Sequence, residues 1–263
     1  MSSVRFRSGA AAMVTLPERR SRSAHDTVLR GLGSAIVSGE LPVGAMLPSK
    51  DELSRQFGVS HTSLREALQT LSAKGLIAAK TKIGTWVQDE SHWNMFDADI
   101  LAWRLAKGAD HGFVANLFEI RQAFEPAAAA IAALRRSDSH VAELRRHLEA
   151  MGEASSDKQG FTDADVAFHL CVLDASANPF MRSIGALIAT ALAASFALSA
   201  PTDNAERATT AYRQHAAIVD AIEAQCPQAA ADAMLQAIRQ GWTIYSGLAD
   251  RPLANLSVRS VRE

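Results

Sequence analysis

Residues 57–77, FGVSHTSLREALQTLSAKGLI, join a tight turn to an amphipathic helix, and this junction restricts the fold more than any other stretch of the chain. Gly58 permits the left-handed backbone that such a corner needs. Ser60 supplies an N-cap, Leu64, Ala67, Leu68 and Leu71 repeat at helical spacing, and Gly75 ends the run. His61, Thr62, Ser63 and Arg65 occupy the first turns outside that apolar stripe, so hydrogen-bond donors face whatever approaches.

The flanking segments complete a recognisable order of parts. Residues 24–38 place Val28, Leu32, Ala35 and Ile36 on one face and stop at Gly39, which predicts a first helix. Pro42, Gly44 and Pro48 mark a loop, after which Ser49 and Glu52 form a capping box for a short helix, KDELSRQF. Beyond Gly75, two short apolar segments flank Lys-Thr-Lys-Ile-Gly, which predicts a β-hairpin. Three helices and a basic hairpin within this span make a winged helix-turn-helix, with the helix at 61–74 presented to a DNA major groove.

Charge is divided in the same way. Residues 1–90 carry a net charge of +4 and the remainder −5, so the overall −1 conceals a basic half and an acidic half. From 95 onward the periodicity is helical, with helices expected at 95–107, 111–136, 138–155, 160–176, 180–199, 205–225 and 227–247. The fold class is therefore mainly α: a winged helix-turn-helix domain at 24–90 and an all-helical bundle domain at 91–250, which the family resemblance given below makes the effector-binding and dimerisation domain. Loose tails are expected at 1–23 and 251–263. Cys171 and Cys226 form no paired pattern, which fits a reducing compartment. The apolar stretch 184–200 is Ala- and Ser-rich and shorter than a membrane span, so it reads as a buried helix of a cytoplasmic protein with no membrane partner.

The stretch GAMLPSKDELSRQFGVSHTSLREALQTLSAKGLIAAKTKIGTWV resembles the DNA-binding domain of GntR-type bacterial transcription regulators. It matches their Leu-Pro-Ser step, the Gly-Val-Ser turn, Arg-Glu-Ala-Leu and the wing that ends in Gly-Thr-x-Val. The remainder, with EIRQAFEPAAAAIAA, DADVAFHLCVLDASANPF and YRQHAAIVDAI, resembles the ligand-binding (FCD) domain of the fatty-acid-regulator branch. HWNMFDADILAW, at 92–103, is similar to the interdomain helix of sugar-acid regulators, the D-galactonate operon repressors among them. The resemblance implies a homodimer on a short palindromic operator, with wings reaching toward the minor groove. Relatives commonly carry Arg where this chain has Asp51 and His61, which implies a divergent operator or weaker binding. Contact then falls to Lys50, His61, Thr62, Ser63, Arg65, the wing residues Lys80 and Lys82, and Gly84.

In the helical half, Asp165 and His169 are four apart and project from one helix face. His215 lies on another helix. By resemblance these three hold a divalent metal, zinc, nickel or manganese, while the usual last His is replaced at Ala237 or Ile238. The plainer reading makes both imidazoles half-buried hydrogen-bonders to an anionic effector or to Asp165. Arg121 sits among inward-facing Ile120, Phe124 and Ala128, so it needs an anion: the effector, or an internal partner in Glu125 or Asp165. Asn178 is a further candidate for the pocket wall, or a helix-stop residue. The effector is expected to be a small carboxylate, a sugar acid such as an aldonate, that controls operator binding by a repressor. Two other functions are open to these residues. One is a metal-dependent hydrolase built on Asp165, His169 and His215, and the other is a sensor that no longer binds DNA.

Overall fold

A computed structural model describes residues 23–108, 111–198, 202 and 204–247, with the side chains of 197 and 198 excepted. The expected tails lie outside these residues, save Ser23, whose hydroxyl accepts from the Asp26 N–H and caps the first helix.

Helix α1 (Ala24–Ser38) ends on Gly39 in the left-handed region, as its sequence requires. Helix α2 (Lys50–Phe57) starts with the expected Ser49–Glu52 capping box, and α3 (His61–Ala73) starts with Ser60, whose hydroxyl accepts from the Ser63 N–H. Gly58 turns between them at φ 64°. Strands β1 (Ile77–Lys80) and β2 (Gly84–Val87) pair antiparallel with Ile77 opposite Val87, and Met46 forms an isolated bridge to Trp86. Val28, Leu32, Leu53, Leu64, Leu71, Leu76 and Val87 close one core beneath these elements. At Gly75, φ is 81° and an added Cβ would fall 1.9 Å from the His92 carbonyl oxygen, so glycine is required there.

A single 3-10 turn (Glu90–His92) leads to α4 (Ala98–Ala106), which begins three residues later than the sequence predicts because Asp97 caps it. Trp93 and Ile100 join the N-terminal core. Trp103 packs on α1 so closely that a Cβ at Gly33 would lie 2.3 Å from its ring.

The rest is a bundle around α5 (His111–Arg135), which packs against α7 (Lys158–Ala175), α9 (Gly185–Leu198), α10 (Ala205–Glu223) and α11 (Pro227–Ser246). Helix α6 (Asp138–Glu153) covers α7 and α10. Ala128, Ala129, Ala132 and Ala133 are fully buried on α5, and these small side chains let its neighbours approach closely. The helix expected at 180–199 is broken into α8 (Pro179–Ser183) and α9. Asn178 caps a first short turn, and Gly185 restarts the chain so near α7 that a Cβ there would lie 2.9 Å from Leu170. Leu187, Ile188, Ala191 and Leu192 of α9 are buried against α4, α5 and α7. Among the described residues no helix is long and apolar enough to cross a membrane.

Candidate functional site

The N-terminal candidates collect around adjoining helix starts and the wing. Lys50 opens α2, His61 opens α3, and His61 Nε2 lies 3.7 Å from Asp51 Oδ1 with both side chains exposed. The two positions where relatives carry Arg are thus neighbours and form an acid–imidazole pair. Thr62 and Arg65 are exposed on α3, whereas Ser63 is half-buried and its hydroxyl lies 3.1 Å from that of Ser60. Lys50 borders a surface depression with Lys80, Thr81, Lys82 and Gly84, so the start of α2 and the wing present cations on one face. Lys82 holds φ 68° at the hairpin turn and Gly84 φ 120°.

In the bundle, α5, α7 and α10 bring Arg121, Asp165, His169 and His215 together, each less than a tenth exposed. They line a cavity of about 50 Å³ together with Arg207, Gln214, Ala237 and Gln240, and with apolar walls from Phe118, Phe161, Leu192 and Phe196. A space of this volume has room for a few waters. His215 Nδ1 donates to the Ala211 carbonyl at 2.7 Å, which turns Nε2 inward, 3.0 Å from Asp165 Oδ1 and 3.4 Å from His169 Nε2. Asp165 Oδ2 is buried without a hydrogen-bond partner and lies 3.8 Å from His169 Nε2.

Glu125 underlies this group. It is 1% exposed, its Oε1 accepts from Arg121 Nε at 2.6 Å, and its Oε2 lies against His169 Nδ1. Burial pushes the Glu125 carboxyl up, but the charges of Arg121 and His169 outweigh it and hold the carboxyl at about 2. Burial likewise opposes ionisation of Asp165, and the two facing histidines overcome it and lower its pKa. For His215, burial favours the neutral ring, yet the Asp165 carboxylate raises its pKa on balance.

These residues fit a divalent cation. One ligand atom from each of Asp165, His169 and His215 lies within 4.8 Å of the others. The orphaned Asp165 oxygen and the backbone bond that orients His215 are what such a site needs. Of the two places for the missing last imidazole, Ala237 lines the cavity and Ile238 is buried in the core, so the position is open at Ala237.

Arg121 takes the internal partner that its sequence context allowed, Glu125, and its Nη2 lies 3.4 Å from His169 Nε2. Asn178 stands apart from the cavity-lining residues. Its Oδ1 accepts from the Phe180 N–H at 3.0 Å, the ordinary work of an Asn before a Pro-initiated turn. Arg207, Gln214 and Gln240 were missed by sequence reasoning. Gln214 adjoins His215 and Gln240 lies one turn beyond Ala237, so projection from the histidine positions reaches both.

Residues 25–87 match the bacterial regulatory proteins of the gntR family, and residues 116–240 match the FCD domain. The galactonate operon transcriptional repressor of Escherichia coli K12 is 33% identical over 213 residues, which cover 81% of this chain and 93% of the repressor. The chain belongs to the GntR family. Within it, the transcriptional regulator LutR of Bacillus subtilis is 34% identical over 57% of this chain and 66% of its own length. The solved structure of Lar, described as controlling expression of the Listeria monocytogenes agr system, covers 86% of this GntR protein and all of Lar. Its TM-score is 0.54 at 21% identity, a likeness of fold. This GntR protein is a transcription regulator and not an enzyme, as its domains and relatives are.

Proposed function

We propose that the protein is a homodimeric, cytoplasmic repressor that leaves its operator when an aldonate such as galactonate enters the α5/α7/α10 cavity. The observation that carries the reading is the convergence of Asp165, His169 and His215 with Arg121 in one buried, polar-ended cavity of the FCD domain. The galactonate operon repressor's likeness over nearly its whole length supports the choice of sugar acid. In this reading residues 24–90 hold DNA through Lys50, His61, Thr62, Ser63, Arg65, Lys80, Lys82 and the Gly84 backbone. Residues 91–250 bind effector and pair the subunits.

A divalent metal, zinc, nickel or manganese, would be held by Asp165, His169 and His215 and would supply a Lewis-acid anchor for the effector's carboxylate. The chain's own groups do the rest. Burial of the Arg121–Glu125 pair leaves Nη2 as a donor beside His169. Gln214 and Gln240 offer amides for hydroxyls, and Phe118, Phe161 and Leu192 exclude water from the remainder. A long acyl chain would place apolar carbons against this polar end, a mismatch that burial penalises.

Thermal unfolding against a panel of sugar acids tests the reading. An aldonate that binds only the folded protein adds about 2.7 kcal/mol of stability at 100 times its dissociation constant, and raises Tm accordingly. Stabilisation by fatty acyl compounds and not by aldonates contradicts it.

A further inference from the structure

Two arginines line the bundle cavity, Arg121 from α5 and Arg207 from α10, and their charges are treated differently. Arg121 is 3% exposed, and Glu125 Oε1 accepts from its Nε at 2.6 Å, so its charge is cancelled inside the protein. Arg207 is exposed in the first turn of α10, and among the described residues its guanidinium makes no ion pair or hydrogen bond. That turn is the positive end of a helix dipole, which disfavours a cation and favours an anion. What stabilises the Arg207 charge is therefore water or an anion from outside the chain.

The space between Arg207 and the buried histidines is kept by small residues. Arg207, Ala211 and His215 all line the cavity and span two turns of α10, about 12 Å along its axis. Across from Ala211, the α11 wall offers Ala237 and Gly241. A methyl added at Gly241 would lie 3.7 Å from the Phe118 ring, an ordinary contact. Packing within the protein thus does not require glycine there, although glycine in a helix interior costs stability. The room it leaves belongs to the cavity.

We propose that Arg207 is a specificity-determining residue that receives a second anionic group at the far end of the effector. The site then takes a sugar diacid, an aldarate, more tightly than the aldonate of the same configuration. This deepens the proposed function and rests on its placing of the first carboxylate at the buried end. An aldonate ends in a hydroxymethyl group, which gives Arg207 a single neutral acceptor. An aldarate ends in a carboxylate, whose two oxygens match the guanidinium fork. Because Arg207 is exposed, water screens the pair, and the gain is held to about fivefold in affinity.

The test is isothermal titration calorimetry of the full-length protein with galactonate and with galactarate. The two ligands differ only at the far end, where the hydroxymethyl of one is a carboxylate in the other. Wild type is expected to bind galactarate about fivefold more tightly, with the preference shrinking as salt is raised. Arg207→Gln, a change at an exposed position that leaves the fold intact, is expected to bind the two alike. Equal or weaker binding of galactarate by wild type overturns the proposal, and so does a preference that survives in Arg207→Gln. Galactonate binding without any preference for galactarate removes the role of Arg207 and leaves the proposed function standing, whereas a wild type that binds neither ligand overturns both.

Discussion

Lys74 Nζ lies 2.7 Å from both carboxylate oxygens of Asp97 and 2.8 Å from Asp99, joining the C-terminal end of α3, the helix proposed to meet DNA, to the N-terminus of α4. Asp97 also caps α4, accepting from the Asp99 and Ile100 N–H groups. Helix α4 packs against α1 on one side and α9 on the other, and α9 supplies Leu192 to the cavity wall. A contiguous chain of contacts thus runs from cavity to recognition helix.

Lys74→Met should keep operator binding while weakening release by effector, because it cuts that route at its ion pair. A coupling of about 1 to 3 kcal/mol is available to lose in such systems. Effector titrations of the bound variant read this as a higher concentration for half-release. Burial lowers the Lys74 pKa, but Asp97 and Asp99 more than compensate and raise it. A raised lysine contributes stability fully below its ordinary value of 10.5, losing it only as pH rises through the folded value. The link should therefore be unaffected from neutral to mildly alkaline pH, and a loss of response confined to that range contradicts the assignment.

Arg65→Ala should cost about 1 to 3 kcal/mol of operator affinity and relax preference at one base position, since Arg65 is exposed on the face of α3 proposed to meet DNA. Lys82→Ala should instead weaken all sequences alike and lower the salt slope by about one. Binding isotherms for a set of single-base operator variants at two salt concentrations separate the two outcomes.

Elemental analysis of untagged protein should find zinc, nickel or manganese up to one per chain, lost in His169→Ala and in Asp165→Asn. Such loss releases a second signal. Metal binding competes with the proton that His215 shares with Asp165, so adding zinc to the apo protein in weak buffer should release protons. Full effector response from protein shown to contain no metal would remove the ion from the mechanism.

Gly33→Ala should destabilise the N-terminal unit by about 1 to 3 kcal/mol, because its methyl would meet the Trp103 ring and the packed α1–α4 seam has no room to yield. A Trp103→Ala partner substitution should recover part of that loss. Denaturant unfolding of the two single variants and the double variant measures the coupling directly.

Local chemistry made the N-terminal half legible. Ser49 with Glu52, Ser60, and the glycines at 39, 58 and 75 mark ends that backbone hydrogen bonding enforces, so those elements are found where capping residues put them. The break at Ile184 was hidden because a lone glycine, Gly185, among helix-forming residues is often tolerated inside a helix, and the contact of Gly185 with α7 explains the restart. In the cavity, i and i+4 spacing showed Asp165 with His169, whereas the approach of His215 to both is a tertiary fact. The spacing of Arg121 and Glu125 allowed their pair, but nothing local reveals that Glu125 also reaches His169, forty-four positions away on α7. Arg207 escaped notice because an exposed Arg in the first turn of a helix is ordinary until a cavity is found beside it.

The central claim, an operator-binding protein released by an aldonate, is tested most directly by fluorescence anisotropy with labelled DNA from upstream of the protein's own gene, titrated with galactonate. The account predicts salt-dependent binding that wild type loses as galactonate is added, while His215→Ala remains bound throughout. Absence of binding to any upstream fragment, or binding that no aldonate alters, would contradict it.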